Sequence, residues 1–362
     1  MASPSCILQI ETERRMASLS GSLPKELLMK VFILLPVKTL CRFRAVCKSW
    51  EGLLSSQSFL PSSLSSPRPF TLFLKDCDYG IKKMFFRSNF DPSNALSCNE
   101  TQFQCEDDIK GFACSNGMVC CLIGLGSSVK LSIGNPLAQQ NFCPIPKLET
   151  SIMSFGFSFD PNSRNFKILV HSYPYDIWIF DSSVGSWSLL NAQRGISLLP
   201  LSSFVCIGTT WYALSNDQQL LVSIDTKRKK WEKIWTPIGF GIMGANGFSC
   251  DKIQEWNGRL SYAMVTNEVL EAGIWVLYED NQWVEVMTLD LKELGLRDFR
   301  LHPVVWFDEM FVMENEDNCV TYNSVNDQLK SFPPQWFKGH LVYRPTMFAW
   351  KQMEASRWSS LL

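Results

Sequence analysis

The residues that could do chemistry are few, and their spacing does not suit catalysis. His171, His302 and His340 are the only histidines, and none stands in an HExxH or HxH pattern or beside a cysteine at metal-ligand spacing. Thirteen cysteines are scattered along the chain without a CxxC. Cys120 and Cys121 are neighbours on an expected strand, so they point to opposite faces. With Cys206 they lie in apolar runs, where reduced and buried thiols are the simple reading. There is no GxSxG nucleophile turn, no Walker-type GxxxxGK[ST] loop and no GxGxxG opening a helix. The run GFGIMGANGF, holding Gly239, Gly241, Gly244 and Gly247, has no lysine and no helix signal after it, so it reads as a surface loop and not a phosphate cradle. The carboxylates at Asp107, Asp108, Glu314, Glu316 and Asp317 sit in runs that read as solvated. No catalytic residue, metal ligand or cofactor is therefore expected, and the function has to lie in surfaces.

The stretch with most surface to explain is 18–60. From Leu27 to Leu35 only Lys30 is charged. Pro24 suits the first turn of a helix, where its missing N–H costs nothing, and Pro36 ends that helix by forcing Leu35 out of the α region. Leu27, Leu28, Val31, Leu34 and Leu35 form the expected core-facing stripe. Met29, Phe32 and Ile33 fall on the other faces, so the helix is apolar nearly all round. Val37, Leu40, Phe43 and Val46 recur every three residues, and Val46, Trp50, Leu53 and Leu54 follow helical spacing. Three short helices cannot bury all this among themselves. The surplus meets the rest of the chain, as a helical cap would, or it meets a partner.

The run LPKELLMKVFILLPVKTLCRFRAVCKSWEGLLSSQSFL resembles an F-box of the plant type, with its Leu-Pro start, Leu-Pro-Val-Lys centre, Arg-Phe-Arg-x-Val-Cys-Lys-x-Trp segment and closing apolar pair. The resemblance implies docking on the Skp-type adaptor of a cullin–RING ubiquitin ligase. The residues it implies for that contact are Leu23, Pro24, Leu27, Leu34, Leu35, Pro36, Leu40 and Val46, while Phe43 and Trp50 hold the helices together. Residues 18–60 carry six Lys/Arg against two Glu, although the whole chain has a net charge of −1. Lys38, Arg42, Arg44 and Lys48 form a basic cluster too small for nucleic acid, and better read as a solvated face or one turned to an acidic adaptor.

After a Ser- and Pro-rich linker at 61–69, hydrophobicity alternates with period two and helical patterns almost vanish. Leu289 to Leu296 is the one short helix candidate. A unit of strand, acidic or amide turn, and strand bearing an aromatic recurs at Leu131–Phe142, Ile177–Trp187, Leu221–Trp231 and Ile274–Trp283, and again at Val320–Leu329 without the aromatic. Its turn residues Asn135, Asp181, Asp225, Asp280 and Asn323 are 46, 44, 55 and 43 apart. A second apolar hairpin precedes each copy. Four strands per ~45–50 residues is the size of a propeller blade. Five blades are visible between about 111 and 332, and a sixth is expected from Phe70–Phe86 paired with Leu341–Trp350. Ser115–Cys120, Asn135-Pro136, Phe155–Pro161, Phe166–Ile168 and Ile274–Leu277 resemble landmarks of the plant F-box-associated, kelch-like region. At blade spacing Trp187, Trp231 and Trp283 read as inter-blade core, whereas Trp211, Tyr173, Tyr175 and Trp256, nearer turns, are candidates for recognition.

The expected architecture is α+β: a leader at 1–17, a three-helix F-box at 18–60, the linker, an all-β propeller at 70–350 and a tail at 351–362. The expected function is that of a non-catalytic substrate receptor in a Skp–cullin–F-box ligase, in nucleus or cytoplasm, holding an unidentified target protein. A scaffold or transcriptional co-regulator outside the ligase is the alternative, and a propeller enzyme or carbohydrate binder the second. Apolar content of 46% with 19% charged residues fits a folded chain, and no apolar run approaches the ~20 residues of a membrane span.

Overall fold

The computed structural model describes residues 24–35, 37–54, 56, 59, 70–76, 82–87, 99–100, 108–125, 128–136, 142–190, 202, 204–215, 220–237, 250–266, 270–293, 301–307, 309–314, 319–332 and 337–343. The expected leader, linker and tail lie outside these residues.

Three helices come first: α1 (Lys25–Ile33), α2 (Val37–Arg44) and α3 (Lys48–Leu54). Pro24 is the N-cap of α1, in extended geometry, and its carbonyl accepts from the N–H groups of Leu27 and Leu28 at 3.0 and 3.1 Å. The helix stops at Ile33. Leu34 and Leu35 then tighten into three-residue hydrogen bonds to Val31 and Phe32, as the end of a helix does when a proline blocks another turn. The helices close on an aromatic centre. The ring of Phe32 lies 5.1 Å from that of Trp50, 5.8 Å from Phe43 and 6.4 Å from Phe59, and all four side chains are buried. Offset and edge-on ring pairs of this kind add about 0.5–1.5 kcal/mol each beyond their area.

The remaining strands form four-stranded antiparallel sheets. Five sheets use four successive strands each: β4 (Asp108–Ser115) to β7 (Cys143–Pro144), β8 (Ile152–Asp160) to β11 (Ser186–Leu190), β12 (Val205–Ile207) to β15 (Lys230–Trp235), β16 (Cys250–Trp256) to β19 (Trp283–Asp290), and β20 (His302–Phe307) to β23 (Gln328–Phe332). A further sheet has the order β24-β1-β2-β3, with β2 (Lys82–Arg87) and β3 (Asn99–Glu100), so the strand after the fifth repeat, β24 (Phe337–Tyr343), pairs with β1 (Phe70–Asp76) from before the first. The expected partner segment Leu341–Trp350 is thus corrected to Phe337–Tyr343; the interrupted apolar pattern of FKGHLVY concealed it, and 344–350 lie outside the described residues. The first strands of successive sheets touch in the cyclic order β4, β8, β12, β16, β20, β24, which makes them the inner ring of a propeller. Of the helix candidate at Leu289–Leu296, residues 289–293 are instead the end of β19 and a turn, with Asp290 Oδ1 accepting from the N–H groups of Lys292 and Glu293, and 294–296 lie outside the described residues.

Two devices repeat between sheets. The turn residues Asp181, Asp225, Asp280 and Asn323 each accept the backbone N–H two residues on, at 2.9, 2.9, 3.2 and 2.9 Å. Asn135 departs from this pattern and is fully buried. The second device is a clip between blades. Trp187 Nε1 donates to Pro146 O at 2.7 Å, and Trp283 Nε1 donates to Trp235 O at 2.8 Å, in each case the tail of the preceding sheet. Trp306 Nε1 donates to Ser261 Oγ at 2.9 Å. On the inner ring the Lys252 ammonium and the Gln254 amide donate to the carbonyls of Val304 and Trp306.

Gly156 marks the tightest approach of two blades. A Cβ there would lie 2.6 Å from both the Cβ and the carbonyl oxygen of Phe204. Gly52, on an exposed part of α3, would meet nothing within 4 Å. The two glycines therefore predict opposite signs. Gly156→Ala should destabilise the chain by about 1–3 kcal/mol through overpacking, and Gly52→Ala should stabilise the helix by about 0.5–1 kcal/mol. Thermal or urea denaturation checks both.

Burial pushes the Glu314 carboxyl, at the end of β21 (Met310–Glu314), up to about 7. The folded state then prefers the neutral acid. Its contribution is fully present below the ordinary carboxylate value and is lost as pH rises towards 7. Glu314→Gln should flatten the decline in stability between pH 5 and 8, read by denaturation at each pH.

Candidate functional site

Helix α1 carries the expected apolar stripe, but it faces the other way. Phe32, placed by its spacing on a surplus face, is buried at the centre of the helices. Leu28, Met29, Ile33 and Leu35 pack part-buried against the same core. Leu27, Val31 and Leu34, expected to face inwards, are 47%, 45% and 80% exposed. They stand at i, i+4 and i+7, so they form one continuous ridge.

The residues expected at the adaptor contact divide accordingly. Pro24, Leu27 and Leu34 are exposed on one end and face of α1. Leu35 and Val46 are half-buried, each packed against the helical core. Leu40 is 1% exposed and is corrected to a core residue: it has no surface left to offer a partner. Leu23 and Pro36 lie outside the described residues. Val31 was missed as a surface residue, although the i, i+4, i+7 spacing from Leu27 was there to find it. Of the basic cluster, Arg42 and Lys48 are exposed and Arg44 is half-buried, while the Lys38 side chain lies outside the described residues.

The aromatic centre of the helices does not stand alone. It belongs to one contiguous buried cluster with Met118, Cys120, Leu131 and Ile133 of the β4–β7 sheet and Phe155, Phe157 and Phe166 of the next. The helices are thus not kept apart from the β domain, as the linker composition had implied. One apolar side is used within the chain and the Leu27–Val31–Leu34 ridge is not.

Among the recognition candidates of the propeller, Trp211 is corrected. It is 1% exposed and packs between sheets with Ile224 and Phe204. Trp256 is half-buried against the core of the next blade pair. Tyr175 stacks on His171 at 6.1 Å, and only Tyr173 is well exposed. Burial holds the His171 imidazole below its ordinary value and pushes the Cys206 thiol up to about 11, which disfavours the reactive thiolate near neutral pH. Among the described residues no group of three or more His, Cys, Asp or Glu could hold a metal ion, and no helix is long and apolar enough to cross a membrane.

Comparison with known families decides the assignment. Residues 20–60 match the F-box-like family and residues 70–326 match the F-box associated beta propeller domain. The chain belongs to the F-box-associated β-propeller family. It is similar to an F-box protein of Arabidopsis thaliana, 24% identical over 316 residues, which span 82% of this chain and 85% of that protein. It is also similar to an F-box/kelch-repeat protein of the same plant, 24% identical over 346 residues, covering 87% and 91% of the two chains. In the terms of this family, α1 to α3 form the F-box-like segment and its unpartnered ridge lies on the first F-box helix.

The distinction between ridge and core is directly testable. Leu40→Ala should cost about 2–5 kcal/mol by opening a cavity under α2. Leu34→Ser, at an exposed site, should change stability by no more than about 0.5 kcal/mol. Equilibrium denaturation of the two variants gives both numbers.

Proposed function

We propose that this F-box/propeller chain is a substrate receptor of a Skp–cullin–F-box ubiquitin ligase, acting in nucleus or cytoplasm. The observation that carries the reading is the exposed Leu27–Val31–Leu34 ridge on the first helix of the F-box-like segment. Exposed leucines and a valine in register cost free energy in water, at about 25 cal/mol for each Å². A partner groove removes that cost. In this reading the ridge docks on the Skp-type adaptor, and the adaptor connects to cullin and RING subunits. Pro24 fixes where the ridge begins, and Arg42 and Lys48 offer charge to an acidic adaptor rim.

The chain itself performs no bond making. The propeller holds a target protein, and the ligase supplies the ubiquitin-charged enzyme. The gain is proximity, a raised effective concentration of target lysines near the charged enzyme.

Leu27→Glu combined with Leu34→Glu should abolish capture of a purified Skp-type adaptor, with the denaturation midpoint unchanged. Leu23→Ala with Pro24→Ala should weaken capture in the same assay. Retention of the adaptor by the double-glutamate variant would reject the ridge as the docking face. The basic cluster adds a kinetic expectation: association should slow with added salt while dissociation changes little.

A further inference from the structure

Between the third and fourth sheets of the propeller series, those of β12–β15 and β16–β19, lies an open cleft of about 500 Å³. One wall is the end of β15 with Trp235, Thr236 and Pro237; the other is Trp275, Trp283 and Glu285 of the β18–β19 hairpin. Trp235 is 50% exposed although it is among the largest apolar side chains of the chain. The aromatic walls are held in place. Tyr262 is buried and packs its ring 6.0 Å from Trp275 and 5.8 Å from Trp283, and the Trp283 indole is tied to the Trp235 carbonyl. Thr288 donates to Glu285 Oε1 at 2.6 Å and orients that carboxylate.

The two walls of the cleft carry opposite charge, with Glu285 on an acidic hairpin and Lys233 on the other wall. From Glu271 to Leu291 there are five acids, Glu271, Glu279, Asp280, Glu285 and Asp290, and no lysine or arginine. Lys233 is the cation of the opposite wall, so a cationic group is directed to the hairpin side. Fixed tryptophan rings beside a carboxylate are the chemistry that recognises a cation, because the ring faces attract positive charge and the carboxylate pairs with it. A planar guanidinium uses both at once, stacking on a ring and donating in its plane. The same surface already does this within the chain: Arg259 Cζ sits 4.1 Å from the centroid of the Tyr278 ring, beside the hairpin turn.

We propose that this cleft is where the target is read, and that its occupant is an extended basic segment of the target which seats an arginine on Trp235 with Glu285 as counter-charge. This rests on the receptor reading above for the identity of the partner, but its chemistry is independent of it. The acidic hairpin attracts the basic segment, and the tryptophans select the guanidinium.

The test uses the full-length chain and fluorescein-labelled Gly/Ser dodecapeptides with a central Arg-Arg, Lys-Lys, Phe-Phe or Glu-Glu, read by fluorescence polarisation. Arg-Arg should bind best, with Lys-Lys weaker and Phe-Phe and Glu-Glu weaker by about tenfold or more. Trp235→Ala, which keeps the carbonyl that holds Trp283, should cost about tenfold in Arg-Arg affinity. Glu285→Lys should cost as much by an independent route. Equal binding of the four peptides, Arg-Arg binding unchanged in both variants, or binding of cello-oligosaccharides in place of peptides would each overturn the assignment. Adaptor capture is measured on the same variants and should be unaffected. Its loss in the wild-type chain would count against the receptor reading while leaving the arginine preference of the cleft standing.

Discussion

Ring closure is the constraint on which the rest of the propeller depends. A four-stranded blade has two faces and cannot bury both alone, so each needs a neighbour on either side. Five successive repeats give a curved row with two raw ends. The pairing of β24 with β1, from Phe70 opposite Tyr343 to Lys75 opposite Phe337, joins those ends inside one sheet. The strand contributed last is the innermost of its blade and touches both β20 and β4. The seam is thereby closed by backbone pairing at the inner ring. Closure also limits the helices. Phe59 is locked in their core and Phe70 opens β1, and the ten residues between can span at most about 35 Å.

Within the ring, the blades are joined by side chains that reach backbone, a coupling that apolar packing alone does not give. An indole N–H aimed at the carbonyl of the preceding sheet, as at Trp187 and Trp283, satisfies two polar groups and also fixes the angle between blades. Lys252 and Gln254 do the same on the inner ring, where neighbouring strands run too far apart to pair. Burial holds the Lys252 ammonium down to about 8, the electrostatic cost of using a charged side chain as a strut. The Asx turns act on a different link of the chain. They set the local path from the third to the fourth strand, and so they place the tryptophan that follows.

Those same turns made the fold legible. Asp or Asn at a steady interval, an aromatic a few residues later and period-two apolar runs define a blade without reference to anything distant. The five internal repeats follow from that. Closure of the ring by a last strand on Phe70–Phe86 was also legible, but the bounds of that strand were not, because its sequence FKGHLVY breaks alternation and its partner is some 270 residues away. β3 (Asn99–Glu100) is two residues long and carries no pattern. The orientation of α1 escaped for another physical reason. A helix apolar nearly all round has no direction in its periodicity, and the choice falls to packing. Phe32 fits among Phe43, Trp50 and Phe59, where an aliphatic side chain would leave a void, so the ring side turns in and the Leu27–Val31–Leu34 side turns out. Trp211 escaped similarly: its place next to a turn suggested exposure, but its side chain packs between its own sheet and the preceding one.

The inward choice of Phe32 bears on function as well as on packing. Because the helical core runs without a break into the first two sheets of the series, the ridge and the cleft belong to one packed body and are not two modules on a tether. Proximity catalysis gains from that arrangement. A flexible tether spreads its cargo over a volume that grows with its length, and effective concentration falls accordingly. If the helix docks and the blade binds as proposed, a packed junction gives a fixed angle between them, so a bound target is presented in one orientation. In the receptor reading, selectivity among the lysines of a target then comes from this geometry and not from any chemistry of the chain.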